Sequence, residues 1–237
     1  MSDVRLFGSG WVETRREAVL AAAFPFIALS LLNHFYMEPL YQLSPIAYWI
    51  ADTAQFVGAP LVGWYFFLRP AGVLPRTYGL APMSRRFCRR DGVALTVFVA
   101  LLLVAAYWPV RLIAIRLFWT LSAPFNHGLV LPDAFLSNFL VAVFMAGSAA
   151  LVEEAVWRGL TWYYLSQVLP VKGRRFLYVL ITSVAFAIAH SEQGPAGVIG
   201  AFWFGIIAAG LYTTIRTLWP LVLGHFVADM LVFGPWR

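Results

Sequence analysis

A chain of 237 residues that is 61% hydrophobic and only 12% charged lies well outside the range of soluble domains, which carry about 25% charged residues. With a mean hydropathy of +0.76 it reads as an integral membrane protein, and its length fits one compact bundle of about seven, at most eight, spans. The net charge of +6 would suit a nucleic-acid partner, but the basic residues cluster in gaps between apolar runs rather than on a face interleaved with aromatics, so none is expected.

In chain order, a first span is expected from about Glu17 to Met37 and a second from about Ile46 to Leu68. The first run is not followed by a small-residue cleavage site and reads as a retained span. A third span runs from about Asp91 to Pro109. The stretch Val110–Leu131, which holds Arg111, Arg116, Pro124 and His127, reads as an interfacial amphipathic piece or the frayed end of span three. A long helical tract follows from Asp133 to about Leu169, and three more spans at about Arg175–His190, Pro195–Arg216 and Pro220–Phe233. Neither an internal repeat nor a soluble domain is visible, so residues 1–237 are taken as one membrane domain. Cys88 is the only cysteine, which excludes an intramolecular disulfide and any Cys-based metal site; within Arg85-Arg86-Phe87-Cys88-Arg89-Arg90 it reads as an ordinary loop thiol.

Loop charge sets the expected topology. Arg5, Arg15 and Arg16 precede span one; Arg69, Arg76, Arg85, Arg86, Arg89 and Arg90 separate spans two and three; Lys172, Arg174 and Arg175 precede span five; Arg216 follows span six. With alternating spans all of these fall on one side, while of the opposite loops Glu38–Pro45 and Ser191–Gly194 carry no Lys or Arg and only Val110–Pro132, with two, breaks the pattern. The positive-inside rule then puts the N-terminus in the cytoplasm and the C-terminus outside, in a cell (plasma, inner) membrane.

Within this apolar frame Glu153 and Glu154 are conspicuous, because a carboxylate at membrane depth costs a few kcal/mol and marks a functional site by default. Glu154 and Arg158 are i,i+4 and can pair on a helix. Glu153 points about 100° away and is left for general-base chemistry, which needs an unsatisfied carboxylate. His190 ends the fifth span. His225 and Asp229, one turn apart in the seventh, can project into the same cavity. Gly200, Gly205 and Gly210 would let span six approach its neighbours closely.

Glu153-Glu154-x-x-x-Arg158, then Phe186-x-x-x-His190, then His225-x-x-x-Asp229 resembles the three-motif signature of the CPBP (Abi-like) family of CAAX-processing and bacteriocin-processing intramembrane endopeptidases. Trp219-Pro220 adds to the likeness, which covers roughly Ala142 to Met230 and places a family-like core at about 134–236. The resemblance implies a helical membrane protease with its site among the C-terminal four spans. In it Glu153 is the general base, His190 holds or polarises the attacking water, Glu154 and Arg158 brace the base, and His225 with residue 229 stabilises the oxyanion. Many members carry Asn where this chain has Asp229. Three readings follow: a protonated Asp229, an Asp229 that orients His225, or a zinc-like divalent metal held by Glu153, His190, His225 and Asp229. The metal-free form is preferred, and no His-Glu-x-x-His helix is present.

The expected substrate is a protein or peptide with a membrane-associated tail: a C-terminal sorting tail, a leader, or a prenylated CAAX-like tail. The compact, Arg-rich chain looks bacterial, which disfavours the prenylated one. The rival readings are an ion- or proton-coupled transporter and an inactive immunity or scaffold protein of the same fold. Asn33, His34 and Glu38 are read as interfacial, Asp52 and Gln55 as residues of the start of span two that could line a vestibule, and Glu192 and Gln193, close after His190, as loop residues that could also touch substrate. One difficulty concerns depth. Counted from Asp133, Glu153 lies about 30 Å along its helix and close to the inner face, whereas His190 lies nearer the outside. They meet only if the fourth tract starts outside the bilayer, tilts, or breaks near Gly147, which leaves the leaflet served by the site undecided.

Overall fold

The structure, a computed structural model, describes residues 14–81, 89–118 and 127–235. Arg5, Arg85, Arg86, Cys88 and Pro124 lie outside them, as do the side chains of Arg89 and His127. Among the described residues seven helices form an all-α bundle. They are α1 (Arg15–Leu43), α2 (residues 45–68), α3 (Arg89–Leu117), α4 (residues 135–168), α5 (Arg174–Ile188), α6 (Gly194–Ile215) and α7 (Trp219–Phe233). Four of these runs, Arg15–Leu43, Arg90–Leu117, Phe135–Val168 and Ser191–Ile215, are long and apolar enough to cross a membrane. Large apolar side chains such as Phe24, Phe35, Phe98 and Leu101 are exposed on the outside of the bundle, where lipid replaces water as their partner.

Local chemistry sets the helix ends. Thr14 and Glu17 form a reciprocal capping box that starts α1. Ser44 alone joins α1 to α2, its hydroxyl accepting from the Ile46 N–H while Pro45 occupies the first helical position, where no N–H is needed. The third span does not stop at Pro109. α3 runs on to Leu117 with the proline inside it, so the start of the 110–131 stretch is the continuation of span three rather than a separate interfacial helix. An apolar run tolerates the lost hydrogen bond because no better-solvated alternative exists in lipid. α2 and α4 are continuous but change winding: Ala54–Gly58, Trp64–Leu68 and Glu154–Leu160 are π-helical. Such underwound turns alter which side chains face inward and are frequent at functional sites.

The core joins Ala18, Val19, Ala22 and Phe26 of α1 to Val156 and Leu160 of α4, Phe186 of α5, and Phe204 and Ala208 of α6. Gly205 lets α6 press on α5, where an added Cβ would lie 3.0 Å from Ser183 Cα; Gly200 faces Tyr107 of α3, and Gly210, expected to act likewise, meets nothing within 4 Å. Residues 69–81 tuck under the Arg-bearing end. Ala71, Val73 and Tyr78 are buried, the Tyr212 hydroxyl donates to the Tyr78 carbonyl (3.1 Å), and the Leu218 N–H donates to the Gly79 carbonyl (3.0 Å).

The depth difficulty disappears when heights are counted from the α4–α5 hairpin rather than from Asp133. Glu153 stands about 15 residues, ~22 Å, before the end of α4 at Val168, and His190 about 16 residues, ~24 Å, after the start of α5 at Arg174. No break at Gly147 is involved, since residues 135–153 are one regular α-helix. α4 as a whole, 34 residues and ~51 Å, exceeds a ~30 Å hydrocarbon core, so its first turns reach beyond the core or the helix tilts strongly.

Candidate active site

All six polar residues singled out by spacing converge. Glu154 and Arg158 form a fully buried ion pair, Nε to Oε2 3.3 Å, and the guanidinium lies 4.2 Å from the Phe186 ring centre and 5.5 Å from that of Phe204. The other Glu154 oxygen stands 2.8 Å from His225 Nδ1. A carboxylate beside an arginine accepts, so His225 donates through Nδ1–H and turns Nε2 into the site. That Nε2 lies 3.5 Å from Asp229 Oδ2 and 3.8 Å from Glu153 Oε2. Glu154 thus takes the Nδ1 side of His225, and Asp229 shares the Nε2 side with Glu153.

His190 is set by the end of its helix. At the C-terminus of α5 the His190 N–H bonds back to the Ala187 carbonyl in a tightened turn, leaving the Phe186 carbonyl without that amide; the imidazole Nδ1–H takes it at 2.8 Å. A carbonyl only accepts, which fixes the neutral tautomer with its lone pair on Nε2. This Nε2 stands 3.9 Å from the same Glu153 Oε2, an oxygen buried without a hydrogen-bond partner. Two ring nitrogens on different helices therefore face one carboxylate oxygen, each too far for a direct bond.

The space between them is a cavity of about 70 Å³ lined by Glu153, His190, His225 and Asp229 together with Ser30, Asn33, Asp52, Ser148, Trp157 and Glu192. That is room for several waters, since one needs about 10–15 Å³ on this measure. A second cavity of about 30 Å³ lies against the other side of His190, His225 and Asp229, walled by Tyr107, Phe186, Gly197 and Phe204. The polar pocket is thus not confined to the last four spans. α1 and α2 supply Ser30, Asn33 and Asp52, at about the same height as Glu153. Asn33, expected at the interface, lines the cavity, and so do Glu192 and Gln193 of the turn after His190. Gln55 is fully buried beside it, bonded to Tyr36 and Ser30. Sequence reasoning missed Ser30, Ser148, Trp157 and Tyr107; only Trp157, inside the first motif, carried a signal.

Among the described residues no group of three or more His, Cys, Asp or Glu is arranged to hold a metal ion.

Fold and site together define a polytopic helical membrane protein with a water-sized, Glu/His-lined chamber inside the bundle. Residues 135–231 match the family model described as Rce1-like, type II CAAX prenyl endopeptidase Rce1-like, in agreement with the CPBP resemblance carried by the three motifs. No curated protein matches the chain, and no solved structure matches it.

Proposed function

We propose that the protein is a CAAX-type intramembrane endopeptidase that hydrolyses a peptide bond near the membrane end of a protein or peptide, with residues 134–236 as its catalytic core. The observation that carries this reading is the pair of imidazole Nε2 atoms 3.8–3.9 Å from the unpartnered Glu153 oxygen across a water-sized cavity. A water seated there gives one hydrogen to His190 Nε2 and the other to Glu153 Oε2. As Glu153 takes its proton, the water oxygen bonds to the scissile carbonyl carbon and the carbonyl π electrons move to oxygen. The resulting oxyanion is met by His225 when Nε2 carries a proton, with Nδ1–H held by Glu154 and Asp229 beside the charged ring. Collapse reforms the carbonyl and breaks the C–N bond, and the leaving nitrogen takes the proton from Glu153. Arg158 fixes Glu154, so it acts on the ring through that carboxylate. This is the glutamic, metal-free form of the reaction.

The chamber stands ~22–24 Å from the end of the bundle that bears Arg15, Arg69, Lys172 and Arg174. With those loops cytoplasmic in a plasma membrane, the site opens towards the outer face. A C-terminal sorting tail or a leader meets that face more readily than a prenylated cytoplasmic tail. The test is cleavage of a membrane-tailed peptide by purified protein in nanodiscs. Wild type cleaves, Glu153→Gln and His190→Ala lose at least about a thousandfold in kcat, and a chelator leaves the wild type unchanged. Full activity in Glu153→Gln would overturn the mechanism, and loss on chelation with recovery on zinc would replace it by a metallo-type one.

A further inference from the structure

The larger cavity holds more carboxyl groups than the proposed hydrolysis uses. Four carboxylates line it, Asp52, Glu153, Glu192 and Asp229, with two histidines and neither Lys nor Arg. Glu153 and Asp229 face imidazole nitrogens. Asp52 and Glu192 have no ion pair among the described residues, although they are only 5% and 3% exposed. One Glu192 oxygen is held loosely by the Gln193 amide (3.4 Å), and the other, Oε2, is buried with no hydrogen-bond partner. Both carboxylates line the one cavity. The polar groups next to them are tied to one another instead: Tyr36 donates to Asn33 or Gln55, and Gln55 donates to Ser30.

Glu192 is rigidly presented. It sits in the tight turn Ser191–Gln193, closed by the Gln193 N–H on the His190 carbonyl (3.1 Å) and followed by Gly194 at φ +71°, two residues from the histidine that faces Glu153. Asp52 reaches the same cavity from α2. An uncompensated carboxylate in low dielectric costs several kcal/mol, and a ligand cation reaching it by charge-assisted hydrogen bonds recovers that cost.

We propose that Asp52 and Glu192 form a subsite that takes a positively charged side chain of the substrate, Arg or Lys, next to the scissile bond. This rests on the protease reading for its place in a reaction, but the subsite itself is a matter of binding. The basic residue would sit among Asp52, Glu192 and the turn after α5 while the adjoining peptide carbonyl reaches the water between Glu153 and His190. Substrates would then combine an apolar membrane segment with a basic residue at its outer edge.

The experiment uses full-length protein in nanodiscs and a set of labelled, membrane-tailed peptides that differ at one scanned position: Arg, Lys, Gln or Glu. Equilibrium binding and cleavage are both read, for wild type, Asp52→Asn, Glu192→Gln and the double variant; these isosteric changes leave the catalytic residues untouched. Wild type should bind the best-placed Arg or Lys peptide about tenfold or more tighter than its Gln counterpart, and prefer it similarly in kcat/KM. The double variant should lose that preference and keep its activity on the Gln peptide. An unchanged Arg/Gln ratio in the double variant, or no Arg preference at any position in wild type, overturns the subsite. If no peptide is cleaved but the charge-dependent binding and its loss are seen, the subsite stands and the protease reading fails. Thermal unfolding of each variant separates the two roles: a lowered Tm with an unaltered preference assigns both carboxylates to structure and overturns the proposal.

Discussion

Removing either partner of the Glu154–Arg158 pair should be among the most damaging single changes away from the reacting atoms. The two groups are 0% and 1% exposed and 3.3 Å apart. At an effective dielectric of about 20 their attraction is roughly 5 kcal/mol, and breaking a buried pair from one side typically costs about 3–5 kcal/mol, because a charge is left without its counter-ion. Glu154→Gln and Arg158→Met should therefore each lower the unfolding free energy by about 3 kcal/mol. For a chain of this size that is a Tm drop of roughly 6–12 °C in nanodiscs. The double variant, with no orphan charge and an apolar side chain between Phe186 and Phe204, should lose less than the sum, with a coupling of at least about 2 kcal/mol. Glu154→Gln keeps an amide oxygen for His225 Nδ1–H, whereas Glu154→Ala does not, so activity should fall further in the alanine variant at similar stability. Single losses below about 1 kcal/mol that simply add would refute the placement of this pair as the brace of the site.

Other outcomes follow from the same geometry. His225→Ala should lower kcat by about a hundred- to a thousandfold with little change in KM, since its Nε2 acts on the oxyanion rather than on bound substrate; steady-state kinetics checks this. Gly159→Ala should cost about 1–3 kcal/mol, because its Cβ would lie 2.5 Å from the Tyr78 carbonyl oxygen, a main-chain atom that cannot swing away. Gly210→Ala, with nothing within 4 Å, should be neutral or stabilising, and the two melting temperatures together read the difference. Phe186→Leu should cost about 1–2 kcal/mol by taking away one ring under the Arg158 guanidinium, measured by unfolding with the ion pair intact.

Helical period and lipid cost made the six motif residues legible, because both are local: an i,i+4 pair or a carboxylate in an apolar run announces itself without knowledge of the fold. What joins Glu154 to His225 is not local. Seventy-one residues separate them, and only the packing of α7 against α4 brings an imidazole Nδ1 to that carboxylate. The tautomer of His190 depends on a tightened last turn at the end of α5, which composition does not encode. Asn33 is placed by its distance from the end of its own span, and that measure fails once helix lengths differ. α1 runs 29 residues, so what looked like an interfacial asparagine stands inside the bundle. Pro109 misled for a related reason, since proline ends helices in water far more reliably than in lipid.

The arithmetic of heights has a consequence for access. Ser30 and Asn33 stand about 15 and 18 residues above Arg15, Asp52 about 16 above Leu68, Glu153 about 15 above Val168 and His190 about 16 above Arg174, all ~22–27 Å from the arginine-bearing end. On that end residues 69–81 close the bundle, with Tyr78 and Leu218 buried between the helices. On the proposed reading, water and substrate are expected to approach from the opposite face. In a Cys88→Ser background, cysteines placed at Ser148 and Gln193, which line the cavity, should react with an impermeant thiol reagent added outside intact cells. A cysteine at Lys172 should react only after permeabilisation. A peptide that occupies the site should slow labelling at Ser148 and leave Lys172 unaffected. Labelling of Lys172 from outside would invert the topology, and labelling of Ser148 only from the cytoplasm would show that the plug formed by residues 69–81 is not a barrier, which would return the prenylated cytoplasmic tail to first place among the substrates.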